Sequence, residues 1–127
     1  MPTTVRVAHS PDSDDAFMFY GLASGAVRAE GLSFVHELSD IETLNKAAVE
    51  GKYEITALSV HAYAYLADKY LLLDAGSSFG DGYGPTVVVP RGSPVRRLEE
   101  LRGQRIAIPG KWTSAALALS MRLPEHQ

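Results

Sequence analysis

Small polar residues cluster at three places where one apolar run gives way to the next. These are Ser10-Pro11-Asp12-Ser13-Asp14-Asp15, Leu58-Ser59, and Pro109-Gly110-Lys111-Trp112-Thr113-Ser114. Hydroxyls at such junctions suit a ligand bearing carboxylate or hydroxyl groups, because a helix that follows adds free N–H groups and a positive dipole end. Ser59, Thr113 and Ser114 are also ordinary helix caps; their recurrence in one setting favours the ligand reading. Asp12, Asp14 and Asp15 offer hard oxygens that Mg²⁺ or Ca²⁺ would accept. They are equally the acidic residues that first helical turns favour. We take the second reading, so no metal is expected, and so acidic a loop is matched to ligand hydroxyls rather than to phosphate. His9 adjoins the first junction and His61 the second, and both are candidate ligand contacts. His36 alternates along a strand and reads as structural, and His126 lies in the tail.

Other chemistries lack support. The chain has no cysteine, which removes disulfides, thiolate catalysis and Cys-ligated metals. No serine lies in a G-x-S-x-G elbow, and no histidine pair has zinc-ligand spacing on a helix. The glycines of Phe79-Gly80-Asp81-Gly82-Tyr83-Gly84-Pro85 precede a strand instead of joining strand to helix, and Lys111 does not complete a phosphate loop. Tyr63, Tyr65 and Tyr70 read as packing residues. Apolar residues are 46% and charged residues 21% of the 127, a globular composition. The basic residues are scattered and no nucleic-acid stripe forms. There is no membrane span, and no export signal precedes the first strand pattern, so a cytoplasmic location is expected.

The elements that must hold these junctions alternate in type. Thr4 to Ala8 predicts a strand, Ala16 to Ser24 a helix stopped by Gly25, and Leu32 to Leu38 a second strand. Ser39 or Asp40 caps a helix with Ile41, Leu44, Ala48 and Val49 at helical spacing, ended by Gly51. Tyr53 to Leu58 predicts a third strand and Ser59 a helix through Ala67. Short strands are expected at Tyr70 to Asp74, at Thr86 to Val89 (buried) and at Arg105 to Ile108, with a short helix to Leu101 before the last of them. A final helix, capped by Thr113 or Ser114, runs from Ala115 to Leu123. This is the pattern of a mostly parallel α/β sheet, whose ligands bind outside the carboxyl ends of the strands. Residues 1–90 carry 5 basic and 12 acidic residues, and residues 91–127 carry 7 and 3. That change of sign predicts two bodies meeting near residue 90, with the glycine loop as hinge.

Five segments, in order, resemble the 1,4-dihydroxy-6-naphthoate synthase family. They are His9 to Tyr20, Asp40-Ile41-Glu42-Thr43-Leu44-Asn45, Thr56-Ala57-Leu58-Ser59-Val60-His61-Ala62-Tyr63, Gly82-Tyr83-Gly84-Pro85, and Ile108-Pro109-Gly110-Lys111-Trp112-Thr113-Ser114-Ala115. The resemblance implies a type II periplasmic-binding-protein-like α/β fold, with lobe one over residues 1–88 and the start of lobe two over 89–127. It implies fragmentation of cyclic dehypoxanthinyl futalosine, a small carboxylate- and hydroxyl-bearing substrate, on the futalosine route to menaquinone, with no metal or redox cofactor. By motif, Ser10, Ala57, Leu58 and Ser59 bind substrate from lobe one and Thr113 and Ser114 from lobe two, with His9, Asp14 and His61 beside them. The family's general base is a lobe-two histidine that would follow Gln127, and none of the four histidines here takes its place. The first loop reads Asp-Ser-Asp-Asp where the family is closer to Cys-Pro-Asn-Asp, a change that bears on specificity. The sister chorismate dehydratases share the fold; a non-catalytic solute-binding protein and an inactive fragment are further alternatives. Two lobes need about 200–300 residues, so the chain is expected to be a truncated piece whose open strand edges template association.

Overall fold

The computed structural model describes residues 1–124. Apolar Val5 and Val7 alternate with polar Thr4 and Arg6, and the chain extends as β1 over Thr3–His9. β1 is the middle of a three-stranded parallel sheet, between β2 (Leu32–Leu38) and β3 (Ile55–Thr56). Its register runs from Thr3 opposite Leu32 to His9 opposite Leu38, and Val7 and Ala8 face Ile55 and Thr56. A central strand is covered on both faces, which is why Val7, Ala8 and His9 in succession are all buried.

Helix α1, Ser13–Ala23, lies against one face and stacks Phe19 on His9. Helix α2, Ile41–Val49, covers the other, where Leu44 packs with Ala8 and Tyr53. The sequence dictates where α2 starts: Asp40 accepts the Thr43 N–H at 3.0 Å and the Thr43 hydroxyl at 2.6 Å, satisfying an otherwise orphaned donor. It stops at Gly51, whose φ of 69° is one that only glycine adopts without strain. The fold continues through a single turn, α3 (Val60–Tyr63), a 3-10 turn at Leu98–Leu101 and α4 (Ser114–Arg122), which packs on α3. The alternation of strand and helix and the parallel sheet agree with expectation. Among the described residues no helix is long and apolar enough to cross a membrane.

Several expected elements are corrected. The third strand is two residues long instead of six, although Ala57 still donates to the Ala8 carbonyl at 2.8 Å. The third helix ends at Tyr63, well short of Ala67. Tyr70 to Asp74, Thr86 to Val89 and Arg105 to Ile108 form no strands, and Val88, expected to be buried, is 84% exposed. The cause is common to all three: a strand is a set of hydrogen bonds to a neighbour, and the described residues give these β-prone segments none. His126, read as a tail residue, lies outside the described residues.

Candidate ligand-binding site

The carboxyl ends of β1 and β3 lie side by side, so the Ser10 loop and the Ala57-Leu58-Ser59 junction emerge together. At the first, the backbone turns back under its own helix. The buried Asp15 carboxylate accepts the Ser10 N–H at 2.6 Å, and Ser10 Oγ accepts the Asp12 N–H at 3.1 Å. Asp15 is thereby committed to shaping the loop, whereas Asp14 is exposed at its rim.

His9 is fixed from three sides. Its Nδ1 lies 3.0 Å from the Ser10 carbonyl, which can only accept, so Nδ1 carries the hydrogen. Its Nε2 then accepts from Nδ1–H of His36 at 3.0 Å, and Phe19 stacks at 4.3 Å between centroids. His36 is left with Nε2 buried and unpartnered. Sequence reading assigned His36 a structural place but not this partner; the parallel register brings it onto the same face as His9 through its pairing with Val7. Burial, reinforced by the facing His9, holds the His36 imidazole below its usual 6.5.

At the second junction Ser59 begins α3 but makes no capping bond with its side chain. Instead Asn45, wholly buried on α2, donates Nδ2–H to Ser59 Oγ at 3.1 Å and accepts the Ser59 N–H at 3.0 Å. Ala57 and Leu58 are half-buried alongside. Asn45 was not among the candidate residues. The signal available was an amide next to Leu44 on the inward face of a helix.

The third loop folds back onto the second junction and onto α2. His61 Nδ1–H donates to the Thr113 carbonyl at 3.2 Å, and the His61 N–H donates to Ser114 Oγ at 3.3 Å. Trp112 packs edge-on against Tyr65 at 5.3 Å and lies 6.4 Å from the His61 ring. The Glu42 carboxylate on α2 accepts the N–H groups of Lys111 and Trp112. The Thr113 hydroxyl hydrogen is committed: it donates to the Gly110 carbonyl at 2.8 Å, while its oxygen accepts the Ala116 N–H at 3.2 Å, capping α4. The candidate residues thus fall into two sets: His9, Ser10 and Asp14 around the first loop, and Ser59, His61, Thr113 and Ser114 where α3 meets α4.

A shared chemical feature connects the sets. Ser10, Ser59 and Ser114 each receive a hydrogen bond from a nitrogen on the protein. Each hydroxyl hydrogen is therefore turned away from that donor, and a hydroxyl so arranged is a donor awaiting an acceptor such as a carboxylate.

Acid should loosen this structure. The native His36 binds its proton at lower pH than the unfolded chain does, so stability falls as pH drops below about 6.5 toward the lowered native value. Glu54 adds a second loss further down. Its carboxylate grips Arg6 at 2.7 Å and is held at about 2 against the usual 4.5, so stability present above 4.5 drains as pH falls toward 2. Melting temperatures across pH 7 to 3 are expected to fall in two stages, and His36→Asn is expected to flatten the upper one.

Comparison with known proteins gives a consistent picture. A family model described as "Menaquinone biosynthesis" matches residues 5–127. A 1,4-dihydroxy-6-naphtoate synthase of Thermus thermophilus is 41% identical over 117 residues, covering 92% of this chain and 41% of the relative. The enzyme of the same name from Streptomyces coelicolor is 31% identical over 114 residues, covering 90% of this chain and 38% of the relative. A crystal structure of a protein from Archaeoglobus fulgidus is 49% identical, superposes with a TM-score of 0.88, and covers 98% of this chain and 44% of its own. The chain spans about two fifths of the length of the curated relatives it matches.

Proposed function

The chain belongs to the menaquinone biosynthesis family, and on that premise we propose that it is the substrate-gripping portion of a 1,4-dihydroxy-6-naphthoate synthase. The substrate in this reading is cyclic dehypoxanthinyl futalosine, cleaved by base-assisted fragmentation. The carrying observation is the junction at His61, which draws together Ser59 and the Thr113-Ser114 loop across more than fifty residues of sequence.

The architecture we infer is that of a type II periplasmic binding protein. Residues 1–88 belong to lobe one, residues 89–127 open lobe two, and the glycine loop before Pro85 is the hinge. The substrate lies in the cleft between the lobes. Ser10 and Ser59 donate their hydroxyl hydrogens from one side and Ser114 from the other, toward carboxylate and hydroxyl oxygens. Thr113 contributes by holding its turn, and Ala57 and Leu58 by forming the wall between the donors. His9 and Asp14 border the first loop. Proton abstraction falls to a histidine of lobe two that follows Gln127, and closure around the substrate excludes water from that step.

Both curated relatives carry the synthase name, which favours this substrate over chorismate. The test is removal of single donors in the full-length protein. A hydrogen bond to a charged group is worth about 1.5–3 kcal/mol, so Ser59→Ala and Ser114→Ala are each expected to raise KM by about tenfold or more. An unchanged KM in both would remove these hydroxyls from the site.

A further inference from the structure

We propose that Glu42 is a positioning residue, a latch that holds the 110–112 loop on α2 and so sets Ser114 beside His61 and Ser59. The proposal rests on the reading of the two ligand loops given above. Its basis is geometric. Glu42 Oε1 accepts the Lys111 N–H at 3.1 Å and Oε2 accepts the Trp112 N–H at 3.0 Å, so one carboxylate grips two successive peptides some seventy residues away. Its side chain is only 12% exposed, and bonds to an ionised acceptor sheltered from water are stronger than neutral ones.

The loop is shaped to receive this side chain. A Cβ at Gly110 would overlap the Glu42 side chain, and the φ of 150° there is one that L residues rarely adopt. The held peptides lead straight into Thr113, whose hydroxyl ties Gly110 to the first turn of α4. At the other end, Asp40 fixes the start of α2 two residues before Glu42. Cap, latch, loop and second cap form one continuous chain of bonds. It explains why two acidic residues two apart at the start of α2 differ in role, Asp40 capping that helix and Glu42 holding another segment.

Trp112 makes the latch observable, because its N–H is one of the two donors and its ring rests on Tyr65. Emission of Trp112 is read in the full-length protein as the difference between each variant and the same variant carrying Trp112→Phe. The variants are Glu42→Gln, which places an amide N–H against one of the peptide donors, and Gly110→Ala, which forces the loop off Glu42. With far-UV circular dichroism as in the wild type, both are expected to shift Trp112 emission to the red and to expose it to acrylamide quenching, and Glu42→Gln is expected to raise KM about tenfold with kcat less affected. Unaltered Trp112 emission in folded Glu42→Gln overturns the proposal. If that variant does not fold, Gly110→Ala decides by the same readout, and loss of the fold in both also overturns it, since a latch on a finished fold is dispensable to folding. The fluorescence does not depend on the substrate, so absence of turnover by the wild type would count against the synthase reading while leaving the latch decided.

Discussion

Asn45→Ala is expected to lower the unfolding free energy of the full-length protein by about 2–4 kcal/mol and to cripple substrate binding more than any single hydroxyl deletion. Asn45 is wholly buried and, among the described residues, is the only side chain that both donates to and accepts from the Ser59 junction. Alanine leaves a small cavity beside Leu44 and removes the partner of the Ser59 N–H. It also frees Ser59 Oγ from its fixed donor, so the hydroxyl hydrogen loses its set direction. The conservative Asn45→Asp keeps an acceptor for the Ser59 N–H but lacks the Nδ2 donor, and places a charge in the core. Urea titration of the three proteins, with substrate affinity measured alongside, separates these effects. Wild-type stability in Asn45→Ala would mean that the reciprocal bonds contribute nothing.

The second large effect is on assembly state. Prepared as residues 1–127 alone, the chain is expected to self-associate at micromolar concentration. Leu71, Leu72 and Leu73 are 90, 75 and 62% exposed and Val88 is 84% exposed. These segments have β-branched or apolar sequence and, among the described residues, no ladder partner, which is the condition under which strands template association. The outer edges of β2 and β3 add further unpaired backbone. Sedimentation velocity is expected to show concentration-dependent oligomers that a Val88→Lys substitution reduces. A monomer with a sharp, reversible, concentration-independent melt would contradict this.

What the sequence made legible follows physical locality. β1, β2, α1, α2 and α4 were readable because their signals are near-neighbour ones: alternation around Val5 and Val7, Asp40 three residues before Thr43, Thr113 three before Ala116. The segments at 70–74, 86–89 and 105–108 carry equally good strand composition, yet strand formation depends on a neighbour that composition cannot reveal. The same limit governed the site. Ser59 and Ser114 could be named from their junctions, but Asn45 and Glu42 were not among the candidates, and their roles exist only because Ser59 and the 110–112 loop return to α2. The role of His36 likewise appears once the register places it opposite Val7, beside His9.

The most direct test of the central claim is product identity. The full-length protein to which this chain belongs is incubated with cyclic dehypoxanthinyl futalosine and, separately, with chorismate, and the products are identified by mass spectrometry. We predict that 1,4-dihydroxy-6-naphthoate forms from the first and that chorismate is untouched. Dehydration of chorismate would assign the chain to the sister activity, and binding of either compound without turnover would make it a carrier instead of an enzyme.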